Sequence, residues 1–228
     1  MVERQLASLL AFPEIAQVLL TRNVPESLNI PDDVRIQLIA NSAPKGFGAN
    51  HNAAFSHCAQ PFFWPLNPDI EFGSDPFPAL MSALERAGAA VVAPLVKSQS
   101  GQLEDSIRYF PTPGSLVRKA LGWADGRYAV FEGQGEFYPE WVGGMFMLFR
   151  SQDFARLGGF DAKFFLYYED VDICVRAWKA GLKVLACPSI SVVHDARRDS
   201  HSNFKHLRWH LASMARYFWK HLGTLPKV

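Results

Sequence analysis

The chain has 228 residues, of which 49% are hydrophobic, and its formal net charge is +1. This length and apolar fraction suffice for one α/β domain with a substantial core. The near-neutral charge argues against a protein whose main partner is nucleic acid. No apolar run approaches the roughly 18 residues that span a bilayer, and no signal peptide is recognisable. We therefore expect any membrane contact to be peripheral.

The three cysteines indicate a reducing cellular compartment. Cys58, Cys174 and Cys187 are widely spaced, form no CxxC pair and lie in apolar contexts. Such residues are typical of buried thiols in a reducing cytosol rather than of a disulfide framework. The sequence therefore predicts a cytoplasmic protein.

Strands and helices are predicted to alternate along the first hundred residues. The predicted helices are 3–11, 46–58 and 76–87, and the predicted strands are 15–21, 34–40, 60–66 and 89–96. Gly88 follows the third helix, where glycine commonly ends a helix. This alternation predicts a mostly parallel, doubly wound sheet.

Residues 97–140 are rich in glycine, proline and aromatic residues and show weak periodicity. A segment this long without regular elements is usually a functional loop or lid. Residues 141–150 are then predicted to form a strand that carries Gly143 and Gly144, where a backbone can approach a ligand closely. Packing against a neighbouring helix is the alternative for these two glycines.

An acidic segment follows the aromatic run 164–168. Glu169, Asp170 and Asp172 lie within four residues, and a helical pattern runs from there to a stop at Gly181. Asp172 is predicted to pair with Arg176 within this helix. Acidic residues are also favoured in a first helical turn without any function. Glu169 and Asp170, however, are adjacent like charges at an apolar wall, a setting that can tune a carboxyl group for proton transfer.

The segment GFGANHN, residues 46–52, lies at a loop-to-helix junction. Gly46, Gly48 and Asn50 would offer backbone amides and the positive end of a helix dipole to a phosphate. Ordinary helix capping explains the same residues equally well.

Two distant residues are candidates for a metal site. Asp69 follows Asn67 and a proline, directly after a predicted strand, and His194 ends a second apolar run. Open α/β sheets bind ligands at the carboxyl ends of strands. Oxygen ligands with one imidazole suit Mn²⁺ or Mg²⁺ bound together with a diphosphate. A turn residue and a structural histidine are the alternatives.

Residues 200–222 are predicted to form a basic amphipathic helix. Its apolar stripe is predicted to consist of Leu207, Leu211, Met214 and Phe218. Docking on the rest of the protein is the common use of such a stripe, and contact with an anionic membrane is the alternative.

Taken together, GFGANHN, LNPDIEF, WVGGMFMLFR, GGFDAKFFLYYEDVDICVRAWKAGLKV and PSISVVH resemble the family-2 glycosyltransferases of GT-A fold, especially their rhamnosyltransferase-like branch. The resemblance runs from about residue 15 to the C-terminus. It implies an α/β GT-A domain over residues 1–199, followed by the helix of residues 200–228. It also implies inverting transfer of a sugar from a nucleotide diphosphate sugar to a saccharide or polyprenyl-diphosphate-linked acceptor, with rhamnose from a thymidine donor as one case.

The resemblance also assigns roles to residues. Asp170 corresponds to the general base, with Glu169 beside it contacting a sugar, and Asp69 corresponds to a metal-binding aspartate that His194 assists. The cation would be Mn²⁺ or Mg²⁺. The residues expected to bind the nucleotide sugar are Asn23, Gly46, Gly48, Asn50, Asn67, Asp69, Gly143 and Gly144.

The nucleotide half departs from the family pattern. Members usually begin with a hydrophobic strand, whereas this chain begins within the helix that follows it. The next strand usually ends in an aspartate that contacts the nucleotide, but here it reads Thr21, Arg22, Asn23. A chain start assigned too late and a genuinely shortened family member both explain this pattern. A non-catalytic sugar-binding or nucleotide-binding subunit, or an assembly subunit, is therefore the alternative to an active enzyme.

Overall fold

The structure, a computed structural model, describes residues 1–123, 125–195 and 204–228. The helices within these ranges are α1 (Val2–Leu10), α2 (Phe47–Phe55), α3 (Phe77–Ala87), α4 (Pro113–Ala120), α5 (Ser151–Arg156), α6 (Glu169–Lys179) and α7 (Phe204–His221). The strands are β1 (Val18–Arg22), β2 (Ile36–Ala40), β3 (Phe62–Phe63), β4 (Ile70–Glu71), β5 (Ala89–Ser98), β6 (Ile107–Arg108), β7 (Trp141–Val142), β8 (Leu148–Arg150) and β9 (Lys183–His194). The described elements make an α/β fold.

The central sheet has five strands in the order β3-β8-β5-β9-β4. Only the β5 and β9 pair is parallel, while β3, β8 and β4 join by antiparallel pairing. The α/β class is confirmed, but the prediction of a mostly parallel sheet is wrong for this sheet. Strands β8 and β4 are short and run antiparallel to their neighbours. Antiparallel neighbours do not need the long crossover connection that joins parallel strands.

A second, two-stranded sheet is formed by β1 and β2, which run parallel. A cavity of about 600 Å³ is lined by residues of β1, of β3 and of helices α1, α2 and α3. Its wall includes apolar side chains such as Leu19, Phe62 and Trp64. The two sheets therefore flank an open, largely apolar space.

The core lies on both faces of β5 and β9, because successive side chains of a strand point to opposite faces. Val91 and Leu95 of β5 belong to one buried cluster with Val175 of α6. Val92 belongs to a second buried cluster with Leu84 of α3. Helices α3 and α6 thus cover the central strands from opposite sides.

Three predicted elements differ from the structure. The strand predicted at residues 60–66 is reduced to β3, and the strand predicted at 141–150 is divided into β7 and β8 by a turn. The predicted loop 97–140 contains β6 and α4. The predicted C-terminal helix begins within residues 200–203, which lie outside the described residues, and continues as α7.

None of the helices in the described part of the chain combines the length and hydropathy of a membrane-spanning segment. Cys174 and Cys187 are buried free thiols, as predicted, and Cys58 is half-buried.

Candidate active site

The acidic segment begins with an unusual backbone turn. Tyr167 and Tyr168 have φ angles of 72° and 67°, in the left-handed region that residues other than glycine rarely adopt. Such strain is found where the surrounding structure holds it, often at functional sites. Tyr168 is buried and caps α6, so the turn aims the first residues of α6 inward.

Asp170 is held by two backbone amides. Its Oδ2 accepts a hydrogen bond from the amide of Gly144, and its Oδ1 accepts one from the amide of Val171, both at 2.8 Å. A Cβ at position 144 would lie 3.4 Å from the Cβ of Asp170, an ordinary van der Waals distance. The amide of Gly144, which was expected to contact the nucleotide sugar, is thus bonded to the candidate base. Gly143 instead donates its amide to the carbonyl of Ser106.

The environments of Glu169 and Asp170 differ. Burial raises the pKa of Asp170, while the amides of Gly144 and Val171 and the charge of Arg108 act to lower it. Burial and the neighbouring Asp170 raise the pKa of Glu169 to about 8. The Glu169 side chain is only 5% exposed, and its Oε2 has no hydrogen-bond partner among the described residues. Glu169 is therefore protonated near neutral pH, and Asp170 is the member of the pair whose charged form is favoured by hydrogen bonds.

Asp172 is fully buried and has three partners, of which Arg176 and Lys220 are cations. The predicted pair with Arg176 is confirmed at 2.8 Å, and Lys220 and His221 of α7 each approach the other carboxylate oxygen to 2.7 Å. Although burial acts in the opposite direction, the hydrogen bond from His221 and the charges of Arg176 and Lys220 lower the pKa of Asp172 to about 2. Asp172 therefore joins α6 to α7 and is not exposed to a substrate.

Asp69 and His194 meet, as the sequence predicted. His194 Nε2 lies 3.2 Å from Asp69 Oδ2, and its Nδ1 lies 3.1 Å from Glu104 Oε2. Strand β4 follows Asp69 directly and pairs Ile70 with His194, which explains the proximity. Burial alone would lower the pKa of His194, but hydrogen bonds to Asp69 and Glu104 raise it.

Asp69 and His194 fit two neighbouring ligands of a divalent cation. Octahedral Mg²⁺ has ligands at about 2.1 Å, so adjacent ligand atoms lie about 3 Å apart, close to the 3.2 Å between Nε2 and Oδ2. The buried Oδ1 of Asp69 has no hydrogen-bond partner among the described residues. No group of three His, Cys, Asp or Glu side chains in the described ranges is arranged to hold a metal. A cation here would need further ligands from the diphosphate of a donor.

Gly46 and Gly48 serve close packing of α2. A Cβ at Gly46 would lie 2.3 Å from the carbonyl oxygen of Phe165, and one at Gly48 would lie 2.7 Å from the Cβ of Phe160. The first amide of α2, that of Phe47, already donates to the Phe165 carbonyl. These two glycines therefore support the segment before α6, and this amide is not free for a phosphate.

An asparagine network follows the carboxyl ends of β1 and β2. Asn41 Nδ2 donates to the side-chain oxygens of Asn23 and Asn50, at 3.0 and 2.7 Å. Asn23 Oδ1 also accepts from the amide of Lys45. Asn23 and Asn50 are thus brought together, whereas Asn67 lies in the turn before β4, where its carbonyl accepts from Gln5. Polar amides at the ends of parallel strands are suitably placed for a nucleotide.

Sequence reasoning missed Glu104 and Arg108. Both lie in the segment 97–140, which has weak periodicity and offers no pattern that marks a functional residue. Strand β6 carries Arg108 to the neighbourhood of Asp170, and the turn before it carries Glu104 to His194. Only the pairing of β6 with β7 and the contact of Glu104 with His194 reveal them.

Comparison with solved structures relates the fold to known enzymes. The mannosyltransferase from Pyrobaculum calidifontis in complex with GDP-Man and Mn²⁺ superposes with a TM-score of 0.64 at 14% identity, over 99% of this chain and 61% of that one. GalNAc-T7 with UDP, GalNAc and Mn²⁺ superposes with a TM-score of 0.63 at 13% identity, over 90% of this chain and 42% of that one. The chain thus spans less than two thirds of either protein, and both share the GT-A fold.

Comparison of sequences identifies the family more narrowly than comparison of folds does. The chain is 32% identical over 183 residues to the rhamnosyltransferase WbbL of Escherichia coli strain K12, covering 75% of this chain and 69% of that protein. It is 30% identical over 241 residues to the N-acetylglucosaminyl-diphospho-decaprenol L-rhamnosyltransferase of Mycobacterium tuberculosis strain H37Rv, covering 93% and 76%. Residues 133–207 match the N-terminal domain of galactosyltransferase, and residues 21–153 match Glycosyl transferase family 2. The chain belongs to glycosyltransferase family 2, within its rhamnosyltransferase-like branch.

Proposed function

We propose that this glycosyltransferase inverts the anomeric carbon of a nucleotide diphosphate sugar and uses Asp170 as its general base. The observation that carries the proposal is the setting of Asp170. Its carboxylate is half-buried at the start of α6 and is oriented by the amides of Gly144 and Val171. A fixed, partly desolvated carboxylate next to a neutral Glu169 is suited to accept a proton.

In the proposed step, an acceptor hydroxyl oxygen attacks the anomeric carbon while the bond from that carbon to the diphosphate oxygen breaks. The hydroxyl proton passes to Asp170, and the nucleoside diphosphate leaves with the bonding electrons. One displacement without a covalent enzyme intermediate inverts the configuration. Tyr168 and Phe164 are buried beside α6 and help to exclude water as a competing acceptor.

Asp69 and His194 would hold a divalent cation, Mn²⁺ or Mg²⁺, whose charge stabilises the departing diphosphate. Glu104 supports this pair, because its hydrogen bond orients the His194 ring through Nδ1. Asn23 and Asn50 would contribute to the nucleotide site at the ends of β1 and β2.

Two relatives indicate the class of donor and acceptor. Both are rhamnosyltransferases, and one acts on N-acetylglucosaminyl-diphospho-decaprenol. The proposed donor is therefore a nucleotide diphosphate rhamnose, and the proposed acceptor is a polyprenyl-diphosphate-linked saccharide used in surface polysaccharide synthesis.

The test is Asp170→Asn, assayed with thymidine-diphosphate rhamnose, Mn²⁺ and an N-acetylglucosaminyl-diphospho-lipid. Loss of a general base is expected to lower kcat by about 100-fold or more. Asp125→Asn, at a carboxylate that is exposed, is the control and should retain the rate. Near-normal turnover by Asp170→Asn would refute the base assignment, and failure of the unaltered chain to turn over any nucleotide sugar would favour a non-catalytic binding subunit.

A further inference from the structure

Helix α7 docks on the protein through a polar and aromatic face. Ser213, Tyr217 and His221 are its buried residues, spaced four apart along one side. Ser213 Oγ donates to the carbonyl of Leu166 at 2.9 Å, and His221 reaches Asp172. The docked face is therefore held by hydrogen bonds and charge together with the core packing of Tyr217.

The opposite face of α7 exposes apolar side chains. The exposed residues on this face and just beyond the helix end are Phe204 (74%), Leu207 (53%), Leu211 (49%), Trp219 (93%) and Leu222 (61%). A helix on the surface of a globular protein normally exposes its polar face. Of the predicted apolar stripe, Met214 and Phe218 pack against the core, whereas Leu207 and Leu211 are exposed, so the stripe is divided between docking and solvent.

Helix α4 has the same character and no buried residue. Val117, Leu121 and Trp123, on the helix or directly after it, are 59%, 55% and 75% exposed. Arg118 and Lys119 lie beside them and are exposed as well. This segment thus presents apolar and basic side chains together.

The two helices share one sign of charge. Burial lowers the pKa of His210 on α7, and the positive charge of Lys119 on α4 lowers it further. Neither helix contains an aspartate or a glutamate. Their basic residues outside the docked face are Arg118, Lys119, Lys205, Arg208 and Arg216.

The N-terminal half of α7 also contacts the segment before the acidic helix. The Trp209 ring stacks on Phe165 with centroids 4.6 Å apart, and His206 Nδ1 lies 3.0 Å from the Tyr167 hydroxyl. Tyr167 precedes Asp170 by three residues. The N-terminal half of α7 therefore lies next to the segment that leads into the candidate active site.

We infer that the exposed face of α7 is a docking surface for an anionic lipid bilayer, with the exposed apolar and basic segment of α4 as a second membrane contact. The aromatic and aliphatic side chains would enter the headgroup region, and the surrounding cations would contact lipid phosphates. A membrane is favoured over a protein partner because a surface with several cations and no acidic residue complements a surface of uniform negative charge. The inference rests on the proposed function in one respect: membrane binding would bring a lipid-linked acceptor to Asp170.

The test is sedimentation of the full chain with vesicles of phosphatidylcholine alone or mixed with phosphatidylglycerol, in the absence of donor and acceptor. Binding is expected to the mixed vesicles and to weaken as salt increases. The triple variant Phe204→Ser, Leu211→Ser, Trp219→Ser should reduce the partition coefficient by about tenfold or more. Lys119→Gln with Arg208→Gln should reduce binding to mixed vesicles only.

Phe131→Ser removes an exposed aromatic ring, 65% accessible, outside this surface and should bind as the unaltered chain does. Circular dichroism should show that every variant melts at the temperature of the unaltered chain, since none of the changed side chains is buried. Equal binding by the triple variant, or no binding to phosphatidylglycerol, would overturn the inference. So would a dimer in sedimentation velocity that the triple variant dissociates, since a second copy would then cover the surface. No outcome of this assay depends on catalysis, so the inference and the proposed function can fail separately.

Discussion

Glu169 and Asp170 are chemically similar neighbours that their surroundings make different. Asp170 receives two amide hydrogen bonds and has Arg108 within electrostatic range, whereas the Glu169 carboxyl is buried with an oxygen that has no hydrogen-bond partner among the described residues. Hydrogen bonds to a carboxylate favour its charged form, and burial favours the neutral form. The amides of Gly144 and Val171 therefore favour the charged form of Asp170 over that of Glu169.

Glu169→Gln should make the protein more stable at neutral and mildly alkaline pH. Because the folded-state pKa of Glu169 is raised from 4.5 to about 8, its contribution to stability is complete below its unfolded pKa and is lost as pH rises through this interval. Glutamine removes that loss. Urea unfolding across this pH range should show an advantage of the variant that grows with pH. A difference independent of pH would contradict a protonated Glu169.

At the scale of elements, the site depends on close approach between segments. Helix α2 meets the loop before α6 where the Phe47 amide donates to the Phe165 carbonyl, and Gly46 has no room for a side chain there. Helix α7 meets α6 through Asp172. These two contacts hold the backbone on either side of the left-handed turn at Tyr167 and Tyr168.

Gly46→Ala should destabilise the protein by about 1–3 kcal/mol, because overpacking forces the backbone to move. The new Cβ would lie 2.3 Å from the Phe165 carbonyl oxygen. Gly73→Ala is the matched control, since a Cβ there meets nothing within 4 Å. Chemical denaturation measures both, and equal stability of the two variants would show that the α2 contact yields without strain.

Asp172→Asn should destabilise the protein by about 3–5 kcal/mol, because it removes the buried anion that Arg176, Lys220 and His221 share. The partly exposed Lys220 can turn to solvent, which places the expected value near the lower end. Asp32→Asn, at an exposed position, should change the free energy of unfolding little. Loss of α7 protection in hydrogen exchange should accompany the change in Asp172→Asn, and unchanged protection would mean that apolar contacts alone dock α7.

For the molecule as a whole, the proposed donor site draws on two separate sheets. Asn23 follows β1 of the two-stranded sheet, whereas Asp69 and His194 belong to the edge of the five-stranded sheet. A donor that contacts both would connect them. Ligand binding to the folded state alone raises its stability by mass action.

Thymidine or uridine diphosphate with Mn²⁺ should therefore raise Tm, and removal of the metal with a chelator should abolish the shift. At a ligand concentration of 100 times Kd, the gain is about 2.7 kcal/mol. Asp69→Asn should lose the shift because it weakens metal binding, while Asp125→Asn should keep it. A shift of equal size without metal would remove the cation from the proposed site.

Much of the fold and part of the site could be predicted from the sequence. Periodicity predicted α3, α6 and β5 near their observed ends, because these elements bury one face or both against the core. The pair Asp172 and Arg176 followed from helical spacing alone. Short strands such as β3 and β8 have no comparable periodic signal, since a strand of two or three residues is defined by its partner rather than by its own pattern.

The sequence by itself determined the family, the acidic start of α6 and the candidates Asp69 and His194, because motif order and local spacing are properties of the chain. Only the tertiary structure decided which groups meet. It added Glu104 to His194 and Arg108 to Asp170, turned Gly46 and Gly48 from phosphate candidates into packing positions, and faced Leu207 and Leu211 of α7 away from the core. The physical reason is that charge, burial and close approach arise between segments distant in sequence, and local patterns do not encode them.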